Sequence, residues 1–225
     1  MKTFLKIWII SSFLISSSSP KLNLIDCADS DCQYIISNSA FWLSQSPIIN
    51  PLNQGKIFVQ YGLTSVDMSF DKKQIYPNLN ISINITKNLS ITSKIFGFQS
   101  EDDLPQVLGA GFQYYFGTND TLNTLFSIQR SDLKGLYDFN LNSINVDLKK
   151  WLNWEKNKIR YGIGSLFYKT KISSDFRHLG LKQNGQINYF ELEYLRSSFL
   201  VDLGLGFKIS NKVSSFSIIT QKEIF

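Results

Sequence analysis

The sequence contains few of the residues from which catalytic and metal sites are built. It has one histidine, His178, and two cysteines, Cys27 and Cys32, among 225 residues. These three residues do not make a zinc ligand set, so we expect no metal and no cofactor. A serine nucleophile would have to contact His178 at about 3 Å, and the nearness of Ser174 in sequence does not establish such a contact. We therefore interpret His178 as a solvated loop residue and expect no catalytic residue.

Long apolar runs and concentrated charge are also absent beyond the amino-terminal segment. Charged residues make up 18% of the chain, and the formal charge of +5 is scattered rather than gathered into a basic stripe. A nucleic-acid-binding protein would show such a stripe, so we exclude that class of partner. A helical membrane bundle would need spans of about 20 apolar residues, which the sequence lacks. A membrane barrel is compatible, because its strands need about 10 residues each and half of them can be polar.

The first residues have the organisation of a secretory signal peptide. Lys2 and Lys6 accompany an apolar stretch over 4–15, and several serines follow it. The stretch is too short for a comfortable transmembrane helix, and the serines form a small-x-small cleavage pattern that ends at Ser18. We therefore predict a signal peptide over 1–18 that is cleaved on export.

The two cysteines lie just beyond the expected cleavage site and are separated by the residues ADSD. An exported chain meets an oxidising compartment, so we predict a local disulfide between Cys27 and Cys32. The alternative is a cation weakly held by the carboxylates of this loop, which lacks the glycine and the terminal glutamate of a calcium loop. Lipid attachment at Cys27 is disfavoured, because Asp26 stands where a lipoprotein has a small residue.

From about residue 55 the sequence alternates between apolar and polar residues with a period of two, most clearly in 199–209 and 79–86. This period is typical of strands whose two faces meet different environments. We predict an all-β fold, an antiparallel up-and-down transmembrane β-barrel of about ten strands over 55–225. The segment 19–54 has no clean period and is expected to be irregular, either extended or a short helix. The predicted strands lie near 56–70, 78–86, 89–99, 106–117, 121–131, 136–148, 158–170, 185–196, 198–209 and 212–225.

Strand length distinguishes a membrane barrel from a soluble sandwich. Strands average about 5 or 6 residues in soluble proteins and about 9 to 11 in membranes, and the segments found here are of the longer kind. Aromatic residues near strand ends, and in a connection expected at 149–157, match the girdles that membrane barrels place at lipid–water interfaces. The predicted interface aromatics are Trp151, Trp154, Tyr114 and Tyr168.

The same alternation assigns charged residues to the barrel interior. Eight strands leave an interior that side chains fill, and ten enlarge it only modestly, so charges of opposite sign are expected to pair and fill the space. We therefore predict a narrow or occluded lumen rather than a diffusion pore. The lumen-facing candidates are Lys94, Arg160, Glu191, Glu193, Asp202 and Lys208.

Together, the signal peptide, the long alternating strands, the interfacial aromatics and Phe225 resemble bacterial outer-membrane β-barrel proteins over about residues 55–225. In that class a terminal aromatic is the signal for the barrel assembly machinery, and the resemblance implies this role for Phe225. Asn50-Pro51, ahead of the first strand, is similar to the entry of fatty-acid transporter-like barrels. The resemblance implies the outer membrane of a Gram-negative bacterium, with membrane lipid and the assembly machinery as partners.

Three functions are compatible with the sequence. The leading one is a non-enzymatic integral outer-membrane barrel that is structural or handles a small or lipophilic ligand. The second is a barrel enzyme that acts on envelope lipids and depends on His178, the one histidine available. The third is a secreted soluble β-rich protein that binds a ligand or a partner.

Overall fold

The polypeptide forms a closed β-barrel around a helix that lies inside it. Neighbouring strands are antiparallel, and the first strand closes the barrel by pairing with the last. The computed structural model describes residues 20, 22–24, 29–49, 56–67, 74–100, 103–117, 122–154, 157–198 and 201–224. The strands are β1 (Ile57–Asp67), β2 (Gln74–Asn84), β3 (Leu89–Gly97), β4 (Gln106–Phe116), β5 (Thr124–Lys134), β6 (Phe139–Trp154), β7 (Asn157–Ile172), β8 (Asn184–Arg196), β9 (Asp202–Ser210) and β10 (Ser214–Glu223).

The predicted all-β barrel of ten strands is confirmed, but the long connection expected at 149–157 is wrong. Strand β6 continues to Trp154, and β7 begins at Asn157. The sequence suggested a connection because Lys149 and Lys150 are both polar. In the structure Lys149 is buried in the lumen and Lys150 is exposed on the outer surface, so the two-residue alternation continues through them.

The segment before the barrel fills the lumen. It contains helix α1 (Asp29–Leu43) and then an extended strap, which we define as residues 44–49. Residues 40–43 are all fully buried although they cover every side of the last helical turn. A helix enclosed in this way needs no apolar stripe, which explains why the sequence showed no helical period here.

The strap and α1 run from one mouth of the barrel to the other. The loop mouth is the end of the barrel at which β3, β5, β7 and β9 end, and the turn mouth is the end at which β2, β4, β6 and β8 end. At the loop mouth the Lys182 amide donates to the side chain of Gln33 at 2.8 Å. The strap ends at the turn mouth, where Ile49 packs against Phe58 and Tyr115. The chain therefore passes through the barrel before β1 begins.

Apolar side chains close the lumen above and below a polar middle layer. Toward the loop mouth, α1 packs against inward residues of several strands, including Val107, Leu141 and Leu166. Toward the turn mouth, Ile48 packs against Trp151 and Leu195. Burying these side chains removes apolar surface from water and so holds the segment in place at both ends.

The outer surface of the barrel is apolar over most of its strands. Bulky side chains that a soluble protein would bury are exposed, among them Ile163 at 62% and Ile95 at 57%. A contiguous belt of this kind matches a surface covered by lipid. Among the described residues, no helix is long and apolar enough to cross a membrane.

The predicted signal peptide over 1–18, Asn50-Pro51 and Phe225 lie outside the described residues. Their predicted roles therefore stay predictions.

Candidate functional site

Two wall lysines hold the point at which α1 ends and the strap begins. Lys94 on β3 donates to the carbonyl oxygens of Leu43 at 3.0 Å and Gln45 at 2.8 Å. Lys208 on β9 donates to the carbonyl oxygen of Ser44 at 3.1 Å and to its hydroxyl at 3.0 Å. The last carbonyls of a helix lack partners within the helix and carry its negative partial charge, so cations are the favoured groups there. The wall thus stabilises this helix end with charge-assisted hydrogen bonds.

The rest of the strap is bonded to the wall from several sides. Gln113 on β4 and Arg160 on β7 both donate to the carbonyl oxygen of Pro47, at 2.9 and 3.3 Å. Lys149 on β6 donates to the hydroxyl of Ser46 at 3.1 Å. Together with the hydrogen bonds from Lys94 on β3 and Lys208 on β9, these bonds reach the strap from opposite sides of the barrel and so centre it in the lumen.

A network of buried ion pairs surrounds the strap. Lys149 lies 2.5 Å from a carboxylate oxygen of Glu191 and 3.7 Å from one of Glu193. Two guanidinium nitrogens of Arg160, Nε and Nη2, donate hydrogen bonds to the carboxylate of Glu193, the bond from Nη2 being 2.7 Å long. Lys208 adds a contact of 3.6 Å to Glu191. Because every member is buried, each charge depends on its partners to offset the cost of desolvation.

The middle layer has more cations than acids. Four buried cations, Lys94, Lys149, Arg160 and Lys208, face three buried carboxylates, Asp147, Glu191 and Glu193. Within the described part of the chain Lys94 has no ion pair, and the strap carbonyls are its partners. The excess positive charge therefore faces the negative end of α1, which makes the lumen wall electrostatically complementary to the segment it encloses.

One cavity between the strap and the wall is very small. It is lined by Gln45 and Ser46 on the strap and by residues of β1, β2 and β10, and has a volume of about 10 Å³. A cavity needs about that volume to hold a single water molecule. This cavity is therefore too small for a hydrated solute.

The structure places five of the six lumen-facing candidates in the middle layer: Lys94, Arg160, Glu191, Glu193 and Lys208. Asp202 shares their inward parity but is the first residue of β9, is half-buried, and accepts from the Ser198 amide at 3.3 Å. It therefore lies at the turn mouth and outside the network. Lys149 and Asp147 belong to the network but were not among the candidates. Lys149 had been assigned to a connection, whereas Asp147 lay within the predicted strand 136–148 and was not singled out.

The structure separates the four predicted interface aromatics into two outer and two inner residues. Tyr114 and Trp154 are exposed near the turn mouth, at 47% and 74%. Trp151 and Tyr168 are buried in the lumen, so their assignment to the interface is corrected. The ring of Tyr168 fills the space above Gly185, its partner on β8, where an added Cβ would collide with it. Such a ring over a glycine is a known way of filling the inner face of a curved sheet.

Trp151 has a different reason for lying inside. Its ring receives the guanidinium of Arg160, whose central carbon lies 5.3 Å from the ring centroid. A desolvated cation gains from an aromatic face, so this contact adds to the stability of the buried network.

The cysteines and the histidine lie away from the network. Cys32 is disulfide-bonded, and Cys27, the only other cysteine of the sequence, lies outside the described residues. The Cys27–Cys32 pairing stays a prediction. His178 is exposed in a short 3₁₀ helix (Ser174–Leu179) at the loop mouth. No group of three or more metal-ligating side chains occurs among the residues that the structure describes.

The polar residues next to His178 bond one another. The carboxylate of Asp175 accepts from the hydroxyls of Tyr137 at 2.7 Å and Ser174 at 3.0 Å. These hydrogen bonds lower the pKa of Asp175, and the bond to Asp175 raises the pKa of Tyr137. The serine therefore points to the carboxylate and not to a base that could activate it.

The closed antiparallel sheet, the apolar outer surface and the polar interior together are the organisation of an outer-membrane β-barrel. The protein is therefore an integral membrane β-barrel, the fold that the resemblance of its sequence implied. Lipid covers the exposed apolar belt, because that surface would otherwise face water at a large cost in free energy.

Comparisons with known proteins agree with this fold at low similarity. No protein-family model and no curated protein matches the chain. Neisserial surface protein A is 12% identical, with a TM-score of 0.36, covering 75% of this chain and 96% of that structure. The translocator domain of the autotransporter NalP from Neisseria meningitidis is 9% identical, with a TM-score of 0.42, covering 86% and 96%. The KdgM porin is 10% identical, with a TM-score of 0.41, covering 75% and 99%. No conclusion about function follows from likenesses this distant.

Proposed function

We propose that the protein is a non-enzymatic, structural barrel of the outer membrane whose lumen is permanently plugged by its own α1 and strap. The observation that carries this proposal is the set of wall side chains that donate to the strap, led by Lys94 and Lys208. A segment that merely visits an open channel would have no need of buried cations directed at its carbonyl groups. The apolar contacts of Ile48 and Ile49 at the turn mouth support the same conclusion.

A role in carrying a ligand through the lumen is less well supported. The cavity beside Gln45 and Ser46 has room for about one water molecule, so a ligand would have to displace the strap. Displacement would leave the four cations of the middle layer without strap partners in a low-dielectric interior, which is costly. The structural role therefore fits the geometry better than a transport role.

The enzyme alternative rests on His178, and the geometry around it favours a solvated residue. A direct test is His178→Ala followed by analysis of the envelope lipids. We expect an unchanged lipid profile. A lipid species lost in the variant and restored by the wild-type protein would establish a histidine-dependent activity and overturn the non-enzymatic proposal.

The plug itself can be tested by thiol accessibility. Ser46 is 4% exposed, so the thiol in Ser46→Cys should not react with a water-soluble maleimide in the membrane-inserted full chain. Lys182→Cys, at the exposed loop mouth, is the positive control, and the wild-type chain gives the background. We expect labelling of S46C only after denaturation. Labelling of S46C at the rate of K182C in folded protein would show a water-filled lumen and contradict the proposal.

A further inference from the structure

The outward face of the barrel has a row that is bulky on β5 and shorter on β6 to β8. Across the strands, the row on its turn-mouth side contains Phe126, Leu148, Ile163 and Phe190. The next row toward the loop mouth contains Ile128, Val146, Ser165 and Asn188, and the third contains Arg130, Ile144, Phe167 and Gln186. Because the middle row is short, its position forms a groove of about 920 Å³ on the outer surface.

The floor of this groove is polar although it faces the lipid-covered side of the barrel. The hydroxyl of Ser165 donates to the side-chain oxygen of Asn188 at 2.8 Å, and the amide of Gln186 donates to the same oxygen at 2.9 Å. Polar groups at such a surface are costly unless they are bonded. The side-chain amides of Asn188 and Gln186 have further donors and acceptors that these two bonds do not use. Those groups can bind a polar group of a bound molecule.

Cations lie directly beyond the groove, on the side of the loop mouth. Lys169 and Lys171 follow Phe167 at alternate positions on β7, and both side chains are exposed and outward. On β5, Arg130 and Lys134 are also exposed and outward. Asp132 is the acid on this part of β5, and it pairs with Arg130 at 3.4 Å. The surface therefore changes from the groove to a net positive patch within a few residues along β5 and β7.

We propose that this face of β5 to β8 is a docking site for a phosphorylated membrane lipid. An acyl chain lies in the groove between Ile163 and Phe167, and the phosphate contacts Lys169 and Lys171. Cations near a membrane surface attract anionic headgroups, and the groove adds an apolar contact that a free phosphate ion could not use. This inference rests on the outer-membrane location and is independent of whether the lumen is plugged.

The test compares lipid retention by the full chain. The protein is inserted into vesicles that contain equal amounts of phosphatidylglycerol and phosphatidylcholine, extracted in mild detergent, and its bound lipid is measured by native mass spectrometry. We expect preferential retention of phosphatidylglycerol, reduced about tenfold in Lys169→Gln/Lys171→Gln. The matched control, Lys87→Gln/Lys150→Gln, removes two exposed lysines near the turn mouth and should retain the wild-type preference.

A second variant tests the groove. Ser165→Phe fills the groove between the bulky residues and should lower phosphatidylglycerol retention, whereas Ser65→Phe adds the same bulk to the outward face of β1, away from β5 to β8, and should not. Excess inorganic phosphate should leave retention unchanged. Equal losses in the two lysine pairs, displacement by inorganic phosphate, or no effect of S165F would each overturn the proposal.

Two further measurements distinguish a failure of the docking site from a failure of the outer-membrane location. Heat-modifiable gel migration shows whether each variant is a folded barrel. Flotation of the wild-type protein with vesicles shows membrane insertion. Failure to insert would contradict the outer-membrane location itself. Insertion without a preference for phosphatidylglycerol would contradict the docking site alone.

Discussion

At the scale of single residues, the lumen uses its cations in two different ways. Arg160 is paired with Glu193 through both arms of its guanidinium, whereas Lys94 bonds only neutral carbonyl oxygens in the described part of the chain. Removing one member of a buried ion pair leaves the other charge without compensation. Removing a cation that bonds carbonyls leaves polar but uncharged groups unpaired, which costs less.

This difference predicts unequal losses of stability. Arg160→Met should lower the free energy of unfolding by about 3–5 kcal/mol, because Glu193 stays buried with only Lys149 near it. Lys94→Met should lower it by about 1–3 kcal/mol. Urea-induced unfolding of vesicle-inserted protein measures both values. Lys150→Met, an exposed change on β6, is the control, and a loss for K94M as large as that for R160M would contradict the assignment.

At the scale of elements, the strands could be predicted from the sequence and α1 could not. A strand such as β9 meets lipid on one face and a polar lumen on the other, so its composition alternates and Leu203, Leu205 and Phe207 reveal it. Helix α1 lies inside the lumen and its last turn, residues 40–43, is buried on every side, so no period distinguishes one face. The end of β6 was also missed, because its inward residue Lys149 is of a polar type that is common in connections.

The clearest test of α1 as a structural element is Trp42 in its last turn. The indole of Trp42 stacks on Tyr76 with 4.7 Å between ring centroids, and its nitrogen donates to the Pro77 carbonyl oxygen at 2.9 Å. Trp42→Ala should therefore destabilise the folded barrel by about 3–5 kcal/mol. Trp154→Ala is the matched control, because that side chain is 74% exposed on the outer surface. A smaller loss for W42A than for W154A would contradict the packing of α1 in the lumen.

At the scale of the whole molecule, the two mouths differ in a way that predicts orientation. Outer-membrane barrels have longer loops outside the cell and shorter turns in the periplasm. At the loop mouth the connection 173–183 separates β7 from β8, whereas at the turn mouth β7 begins at Asn157, only three positions after β6 ends at Trp154. We therefore expect the loop mouth, where α1 begins, to face the outside.

Cysteine labelling on intact cells tests this orientation. A membrane-impermeant maleimide should label Lys182→Cys on intact cells and Ser198→Cys only after the outer membrane is permeabilised, since both side chains are exposed but lie at opposite mouths. Cys32 is disulfide-bonded and should not contribute. Labelling of S198C alone on intact cells would reverse the orientation.

Sequence reasoning predicted a narrow or occluded lumen from paired charges but did not predict that α1 and the strap lie inside it. The inward charges Arg160, Glu191 and Glu193 could be placed by alternation, which is a local property of each strand. The contacts between Lys94 and the strap join residues about fifty positions apart in the chain, and no local pattern encodes them. The contacts that hold the segment in the lumen can therefore be seen only in the folded structure, where the closed barrel surrounds the segment that precedes it.

The conductance of single wild-type barrels in a planar lipid bilayer shows whether the amino-terminal segment closes the barrel. The protein is delivered to the bilayer from vesicles, and heat-modifiable migration of protein recovered from those vesicles verifies independently that it is inserted. The account predicts no steady open-channel current, because the strap bonds Lys94 and Lys208 and leaves only about 10 Å³ free beside Gln45 and Ser46. A stable, ohmic conductance from the inserted wild-type protein would contradict it.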